Sequence, residues 1–222
     1  MSEGIQKFEI FYIRHADVVG GSHGDRDVCD RDLTELGEKQ ILLLGERFAG
    51  KSFDAIFSSP LIRCVKTAAA VANRLEGHPQ IEIMPELIEN GSTYGYKGLP
   101  VEELKKYYDN VIECPDNVYG EDGIFEHDTK EKNMIRAKAV NEYFRKRFGF
   151  GKKILVFAHA CIGNSVIQTS VSVPYEHSAF RMTLFNTSVT KLKYTSDGVE
   201  RVSFHNDVSH LRSIMPDYEF EL

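Results

Sequence analysis

A near-continuous apolar run, Lys153 to Ala158 (KILVFA), is the feature that most limits what this chain can fold into. A strand without alternation of polar and apolar side chains has to be covered on both faces, which is typical of the centre of a parallel sheet between helices. The run stops abruptly at His159, and a helix is predicted at Ile162 to Val171. The sequence therefore indicates an α/β fold around a buried central strand.

The same order of strand, polar loop and helix recurs twice before this run. Short runs of β-branched and aromatic residues predict the strands, and apolar residues at helical spacing predict the helices. A serine cap followed by proline at the first helical position, Ser59-Pro60, marks the start of the second helix. The predicted strands are Lys7 to Ile13, Phe53 to Phe57 and Ile81 to Met84, and the predicted helices are Thr34 to Ala49 and Pro60 to Leu75.

Between the third strand and the central one we expect an inserted cap at about residues 90–130. Asn90 to Pro100 is rich in glycine and tyrosine and breaks both periodicities. The cap region then has a short helix near Val101 to Tyr108 and an irregular acidic stretch from Glu113 to Asp128. A helix from Glu131 to Phe148 follows, with one face formed by Ile135, Ala139, Tyr143 and Phe144. The chain ends in a predicted hairpin, Ser188 to Tyr194 with Val199 to Phe204 around Ser196-Asp197-Gly198, and a loosely packed tail, Asp207 to Leu222.

These elements predict one domain over residues 1–222, a three-layer α/β/α sandwich with a mainly parallel sheet. No apolar run reaches the roughly 20 residues that span a bilayer, so we expect no membrane partner. The net charge of -6 argues against a nucleic-acid partner, which needs a broad basic surface. Four scattered cysteines and an amino terminus without a signal segment predict a cytoplasmic location.

The sequence shows no pattern that would hold a metal ion. Its eight histidines do not fall in a Cys/His spacing typical of metal sites, and His205 with His210 is interpreted as a surface pair. We therefore expect no metal and no cofactor. The oligomeric state is left open, since no motif bears on it.

Polar residues stand directly after three of the predicted strands. Arg14-His15 follows the first strand, Ser58 to Arg63 the second, and His159 the central one. Ligands of open α/β sheets collect at the carboxyl ends of the strands, so the fold can bring these residues to one point. Two arginines and two histidines at one point suit a phosphoryl group, whose charged oxygens need fixed positive donors.

These side chains suggest a division of roles in phosphoryl transfer. Arg14 and Arg63 each offer a planar fork for phosphate oxygens. A neutral imidazole is a competent nucleophile when its other nitrogen is held by a hydrogen bond, and His15 fits this role, with His159 as a donor to the same oxygens. The leaving alkoxide then needs a proton from a carboxylic acid.

Four motifs in order carry a family resemblance. They are Ile-Arg-His-Ala at 13–16, Leu-Thr-Glu-Leu-Gly at 33–37, Ser-Ser-Pro-Leu-Ile-Arg-Cys-Val-Lys-Thr-Ala at 58–68, and Phe-Ala-His-Ala at 157–160. Together they resemble the histidine phosphatase superfamily, phosphoglycerate mutase-like branch. The resemblance implies that His15 is phosphorylated and that Arg14, Arg63 and His159 bind the phosphate. It also implies a glutamate as proton donor, for which Glu89 in Leu87-Ile88-Glu89 is our choice and Glu86 the rival.

The resemblance implies a metal-independent phosphatase that hydrolyses a small phosphate monoester through a phosphohistidine. A mutase of the phosphoglycerate type and a catalytically silent module that binds a phosphorylated ligand remain as alternatives. The chain departs from the family pattern at Ala16 and Ala160, where glycine is usual. It also lacks the usual polar series after the nucleophile, and this departure favours hydrolysis over the mutase reaction. Cys64 and Cys161 are interpreted as packing residues.

Overall fold

The protein is described from a computed structural model, which covers residues 6–20, 30–89, 96–116, 118, 129–173, 181–196 and 200–215. Seven strands form one sheet in the order β4-β3-β2-β5-β1-β6-β7. The first five strands in this order run parallel, and β6 and β7 pair antiparallel at one side. The strands are β1 Gln6–Arg14, β2 Ala55–Ser58, β3 Ile81–Ile83, β4 Val111–Glu113, β5 Lys152–Ala158, β6 Val189–Thr195 and β7 Arg201–Asp207.

Helices cover both faces of this sheet, which gives the predicted three layers. Leu44 of α1 and Val65 of α2 pack in one apolar core, whereas Phe144 of α4 and Val166 of α5 pack in the other. The helices are α1 Glu35–Phe48, α2 Ile62–Ala72, α3 Val101–Leu104, α4 Lys130–Arg147 and α5 Ala160–Ser170. The predicted mainly parallel α/β/α fold is confirmed.

The central strands β1 and β5 supply side chains to both cores. In β5, Ile154 and Val156 face the α4 and α5 side, and Leu155 and Phe157 face the α1 and α2 side. All four are fully buried. Burial of each such side chain stabilises the fold by about 1.5–3 kcal/mol, which explains why this run lacks polar residues.

Strand β4 was not predicted. Its three residues pair with β3 through Ile81 and Val111, and they extend the sheet within the range assigned to the cap. A strand of three residues carries too little alternation to be distinguished from a loop. The structure describes only part of the predicted cap. Residues 90–95, 117 and 119–128 of that range lie outside the described residues.

The buried face of α4 differs from the prediction. Ile135 is 51% exposed, while Met134, Ala137 and Val140 are buried beside it in sequence. The prediction was wrong for Ile135, whereas the predicted Phe144 is buried and Tyr143 packs against the same core. The buried face also carries the polar residues Asn133, Arg136 and Asn141. Apolar periodicity alone cannot find a face whose polar groups are satisfied inside the protein.

The segment after β7 is not a loose tail over the part that the structure describes. Val208 and Leu211 are buried, and a short 3₁₀ helix, Ser209–Leu211, contacts α1. His205 and His210 are likewise not a surface pair. His205 Nδ1 lies 3.2 Å from Thr190 Oγ1, and His210 contacts α1 instead. Residues 216–222 and the turn residues Asp197 and Gly198 lie outside the described residues.

Within the described ranges, the structure contains no helix that is both long and apolar enough to cross a membrane.

Candidate active site

The carboxyl ends of β1, β2 and β5 meet at one edge of the sheet. Arg14 pairs in register with Ala158, and the His15 N–H donates to the Ala158 carbonyl at 3.0 Å. On the other side of β5, the Ser59 N–H donates to the Phe157 carbonyl at 2.9 Å. The sheet itself therefore brings the polar residues of the three predicted strand ends together.

His15 is held as a neutral imidazole with a defined tautomer. Its Nδ1 lies 2.7 Å from the Ala16 carbonyl oxygen, which can only accept, so Nδ1 carries the proton. Burial and the positive charges of Arg63 and Arg14 hold the pKa of His15 well below its usual value. Nε2 therefore keeps a lone pair at neutral pH, as a nucleophile requires.

The loop that leaves His15 is fixed by α1. The Asp17 N–H donates to Gln40 Oε1 at 2.8 Å, and Thr34 Oγ1 donates to the Asp17 carboxylate at 2.7 Å. Thr34 also accepts from the Gly37 N–H, as the predicted helix cap does. A Cβ at Gly37 would lie 2.2 Å from the Asp17 carbonyl oxygen, so glycine allows this close approach. The motif at 33–37 thus anchors the chain two residues beyond the histidine.

A second segment, just before β6, holds the backbone at Arg14 and His15. The Asn186 side chain donates to the His15 carbonyl at 3.0 Å, and the Thr187 N–H donates to the Arg14 carbonyl at 3.0 Å. Thr187 has φ of 56°. A β-branched residue in this left-handed region costs of the order of 1–3 kcal/mol, which the surrounding contacts have to offset.

Arg63 lies in the first turn of α2 and is 7% exposed. Its Nη1 lies 3.9 Å from Oδ1 of Asp30. Asp30 also accepts from the Ile62 N–H at 2.9 Å and from the Tyr96 hydroxyl at 3.2 Å. Burial raises the pKa of Asp30, and Arg63 opposes this rise. The Asp30 carboxylate therefore orients Arg63 and receives the first N–H group of the helix.

The predicted serine cap of α2 was wrong. The residue before the helix is Leu61, and the Ser59 hydroxyl lies 2.8 Å from Nε2 of His159 instead. Pro60 precedes the helix and does not occupy its first position, because α2 begins at Ile62. The Ser-Ser-Pro segment thus crosses the strand ends before the helix starts, and this places Ser59 against the second histidine.

His159 is fully buried at the start of α5. Burial, followed by the charges of Arg63, His15, Arg14 and Arg136, holds its pKa well below the usual value. The two imidazole rings have centroids 5.1 Å apart with 60° between their planes. The site therefore contains two neutral histidines beside two permanent positive charges, a combination suited to an anion.

Glu89 lies at the same helix end as His159. Its two carboxylate oxygens accept from the N–H groups of Cys161 and Ile162, each at 3.2 Å. These N–H groups have no partner within the helix, so the Glu89 side chain supplies one for each. The carboxylate therefore stands over the first turn of α5, next to the phosphate-binding candidates.

Glu86 faces a different part of the molecule. It is 2% exposed, and its Oε1 accepts from the Val118 N–H at 3.1 Å. Its backbone carbonyl, like that of Ile88, accepts from Nη1 of Arg136. Of the two glutamates left open by the sequence, Glu89 is the one that contacts the start of α5, next to His159 in the chain.

A sequence profile of the histidine phosphatase superfamily (branch 1) matches residues 10–207. The chain belongs to the histidine phosphatase superfamily. A probable phosphatase of Schizosaccharomyces pombe is 29% identical over 213 residues, which cover 92% of this chain and 96% of that protein. A broad-specificity phosphatase of Saccharomyces cerevisiae is 28% identical over 201 residues, covering 85% of this chain and 80% of that protein.

The fold recurs in the solved structure of a phosphoglycerate mutase. The phosphoglycerate mutase of Bacillus anthracis superposes with a TM-score of 0.65 at 21% identity, over 94% of this chain and 96% of that one. Histidine phosphatases and mutases thus share this architecture. The choice between hydrolysis and transfer therefore has to come from the site.

One departure from the usual pattern of histidine phosphatases, Ala16, is accommodated without strain. Ala16 is fully buried, and its N–H donates to Thr67 Oγ1 at 3.1 Å. Thr67 Oγ1 in turn donates to the Arg63 carbonyl at 2.6 Å. The methyl group packs in a small apolar cluster with Val18, Leu33 and Ile41. Thr67 therefore couples the histidine loop to the arginine helix.

Several residues of this site were missed in the sequence. Ser59 was interpreted as a helix cap, and Asp30 and Thr187 were not singled out. The available signal was Asn186-Thr187, just before the predicted hairpin, because the start of a strand antiparallel to β1 lies beside the carboxyl end of β1. No sequence pattern marks Asp30 as a site residue, since its contact with Arg63 depends on the conformation of the loop before α1.

Cys161 and Cys64 do not have the properties of a second nucleophile. The negative charge of Glu89, together with burial, raises the pKa of Cys161 to about 11. Cys64 is fully buried, and its thiol lies 3.4 Å from the Ala158 carbonyl and from Nε2 of His159. Burial raises the pKa of Cys64 as well. A thiol that stays protonated is a packing group.

Among the described residues, no group of three histidine, cysteine, aspartate or glutamate side chains is arranged to hold a metal ion.

Proposed function

We propose that this chain hydrolyses phosphate monoesters through a phosphohistidine formed on His15, without a metal ion. The observation that carries the proposal is the neutral imidazole of His15, whose Nδ1 is tied to the Ala16 carbonyl beside two arginines. Membership of the histidine phosphatase superfamily supports the same chemistry. Arg14, Arg63 and His159 bind the phosphoryl oxygens in this proposal, and Glu89 is the proton donor.

The reaction proceeds in two transfers. Nε2 of His15 attacks phosphorus, and the ester oxygen leaves with the electron pair of the P–O bond while Glu89 gives it a proton. A water molecule then attacks the phosphohistidine, its proton returns to the Glu89 carboxylate, and the P–N bond breaks. His15 is restored as a neutral imidazole. Arg14 and Arg63 stabilise the charge on the phosphoryl oxygens in both transfers, as fixed donors in a largely water-excluded site do.

The experiment that tests this proposal is hydrolysis of an aryl phosphate by the purified protein in the presence of EDTA. We expect phosphate release that EDTA does not change, because arginine and histidine side chains supply all the charge that the reaction needs. The measurement is inorganic phosphate released with time, before and after chelation. Activity that EDTA removes and a divalent ion restores would overturn the metal-independent mechanism.

Glu89→Gln tests the proton donor. An alkyl alcohol leaves poorly without a proton, whereas a nitrophenolate leaves unaided. We therefore expect kcat/KM to fall roughly 100-fold for an alkyl phosphate and only a few-fold for p-nitrophenyl phosphate. Glu86→Gln is the matched control, since its carboxylate faces Val118 rather than the histidines. An equal loss on both esters in Glu89→Gln, or the selective loss in Glu86→Gln, would assign the acid elsewhere.

Hydrolysis is favoured over phosphoryl transfer between substrates. Both relatives named above carry phosphatase names, and the polar series that follows the nucleophile in the best-known mutases is absent here. The mutase alternative is separated by incubation with 3-phosphoglycerate and its bisphosphate primer, for which we expect phosphate release without isomerisation. A catalytically silent binding module would neither isomerise 3-phosphoglycerate nor release phosphate from it.

The substrates that we propose are small phosphorylated metabolites rather than nucleic acids. Tyr96 and Lys97, near the start of the predicted cap, are candidates to line the pocket, as is Tyr94, which lies outside the described residues. Tyr96 supports this because its hydroxyl donates to Asp30, the partner of Arg63. We also retain the proposed cytoplasmic location, which is supported by the free thiols of Cys64, Cys114 and Cys161.

A further inference from the structure

Thr187 connects the nucleophile to a part of the protein outside the pocket. Its backbone N–H donates to the Arg14 carbonyl at 3.0 Å and to the His15 carbonyl at 3.3 Å. Its side-chain oxygen turns the other way and lies 3.1 Å from Nε2 of His210, in the 3₁₀ helix after β7. Thr187 is buried, and its left-handed backbone makes both contacts possible at once.

The hydrogen bonds of His210 have one consistent direction. Nη1 of Arg47 can only donate, and it lies 3.2 Å from His210 Nδ1, so Nδ1 accepts. Burial and the charge of Arg47 lower the pKa of His210 to about 4, which keeps the ring neutral. The proton of the neutral ring is therefore on Nε2, which donates to Thr187 Oγ1.

Arg47 itself is fixed in place. It extends from the last turn of α1, and its Nη2 lies 2.6 Å from the Asp207 carboxylate while its Nη1 also donates to the Asp207 carbonyl at 3.2 Å. Val208 and Leu211 on either side of His210 are buried. The imidazole thus has one rigid partner on the helix side and one on the nucleophile side.

We propose that His210 is a positioning residue for phosphoryl transfer, which acts through Thr187 on the main chain that carries His15. This inference rests on the proposed role of His15. Loss of the Nε2–H donor leaves Thr187 Oγ1 without its partner and removes one restraint on the left-handed backbone at Thr187. The Arg14 and His15 carbonyls then lose a fixed donor, and the imidazole no longer stands reliably in line with phosphorus.

The test uses vanadate and inorganic phosphate as two probes of one pocket. Vanadate becomes five-coordinate by bonding to the histidine nitrogen, so its affinity depends on the placement of Nε2. Phosphate is held by the side chains that bind its oxygens, Arg14, Arg63 and His159, and forms no bond to the nitrogen of His15. The variants are His210→Phe, which keeps the bulk and removes both hydrogen bonds, and His210→Gln, which keeps a donor and an acceptor. Thr187→Val and Thr187→Ser form the matching pair on the other side of the contact.

We expect the inhibition constant of vanadate to rise roughly 10-fold in His210→Phe and Thr187→Val, because misplacement of a reacting group by less than 1 Å is costly. The inhibition constant of phosphate should change less than about 2-fold, and kcat should fall by a similar roughly 10-fold factor with KM little changed. His210→Gln and Thr187→Ser should stay near the parent values. All assays are made at a temperature where each variant is folded by circular dichroism.

The outcomes separate this inference from the proposed function. A ratio of vanadate to phosphate affinity that stays constant in both His210→Phe and Thr187→Val overturns the positioning role, while the phosphohistidine mechanism stands. A parent protein that binds vanadate no more tightly than phosphate overturns the covalent step at His15 and this inference with it. If His210→Phe does not fold, Thr187→Val decides, because valine fits the β-branched shape of the site.

Discussion

His15→Ala is expected to abolish hydrolysis of every phosphate ester, with kcat/KM lower by roughly 10⁴-fold or more. The variant removes the nitrogen that accepts the phosphoryl group, and no other described side chain in the pocket is suited to replace it. His159 is fully buried with its Nε2 against Ser59, and the Cys161 thiol stays protonated. Aryl and alkyl esters should lose activity alike, because both need the same nitrogen to accept the phosphoryl group.

The measurement pairs steady-state kinetics with detection of acid-labile phosphate on the protein after a rapid quench. The parent should carry the label and His15→Ala should not. Inorganic phosphate should still bind to His15→Ala, since Arg14 and Arg63 remain. His78→Ala is the control, because His78 is exposed and precedes β3 at the opposite edge of the sheet. Substantial activity or labelling in His15→Ala would exclude His15 as the nucleophile.

Arg63→Met is expected to lower kcat/KM by roughly 10³-fold, the scale of losing a charged donor in a preorganised site. Arg63 also lowers the pKa of both His15 and His159. Its removal should therefore raise the pKa of His15, so that the acid limb of the pH profile for kcat/KM moves to higher pH. Loss of stability alone would not move this limb.

Arg63→Lys distinguishes charge from geometry. Lysine keeps the charge but has no planar fork, so we expect it to restore the acid limb and recover no more than roughly 10-fold of the lost activity. Arg74→Met is the matched control, because Arg74 follows the end of the same helix and pairs with Glu46 at the surface. A pH profile that does not change in Arg63→Met would contradict the assigned neighbourhood of Arg63 and His15.

The sheet could be predicted from the sequence because its strands are buried on both faces. Ile154 to Ala158 carries this requirement in every residue, and the observed β5 begins one residue before the predicted run from Lys153 to Ala158. The face of α4 could not be predicted, since Arg136 and Asn141 are buried by virtue of carbonyl partners distant in sequence, such as those of Ile88 and Val166. The spacing of apolar residues predicts which apolar side chains are buried, but it does not predict buried polar side chains that have hydrogen-bond partners.

Part of the candidate site could be predicted from the sequence and part could not. Arg14, His15, Arg63 and His159 were predictable because each follows a parallel strand, and parallel strands end at one edge. The resemblance favoured Glu89 over Glu86 as the acid, but the placement of the two side chains depends on the path of the chain between β3 and α5, which residue types do not specify. Contacts made by loops, such as that of Thr187, depend on backbone conformations that local residue types do not specify.

The position of β1 in the sheet has a consequence for how the enzyme acquires activity. The strand that presents His15 is synthesised first, yet it lies between β5 and β6, so that Phe8 pairs with Lys152 on one side and with Tyr194 on the other. Pairings of such long sequence separation form late and slow the folding of a chain. A nascent chain therefore holds His15, the proposed nucleophile, on an unpaired strand until β5 and β6 have emerged. Activity should consequently appear in a single late step of biosynthesis.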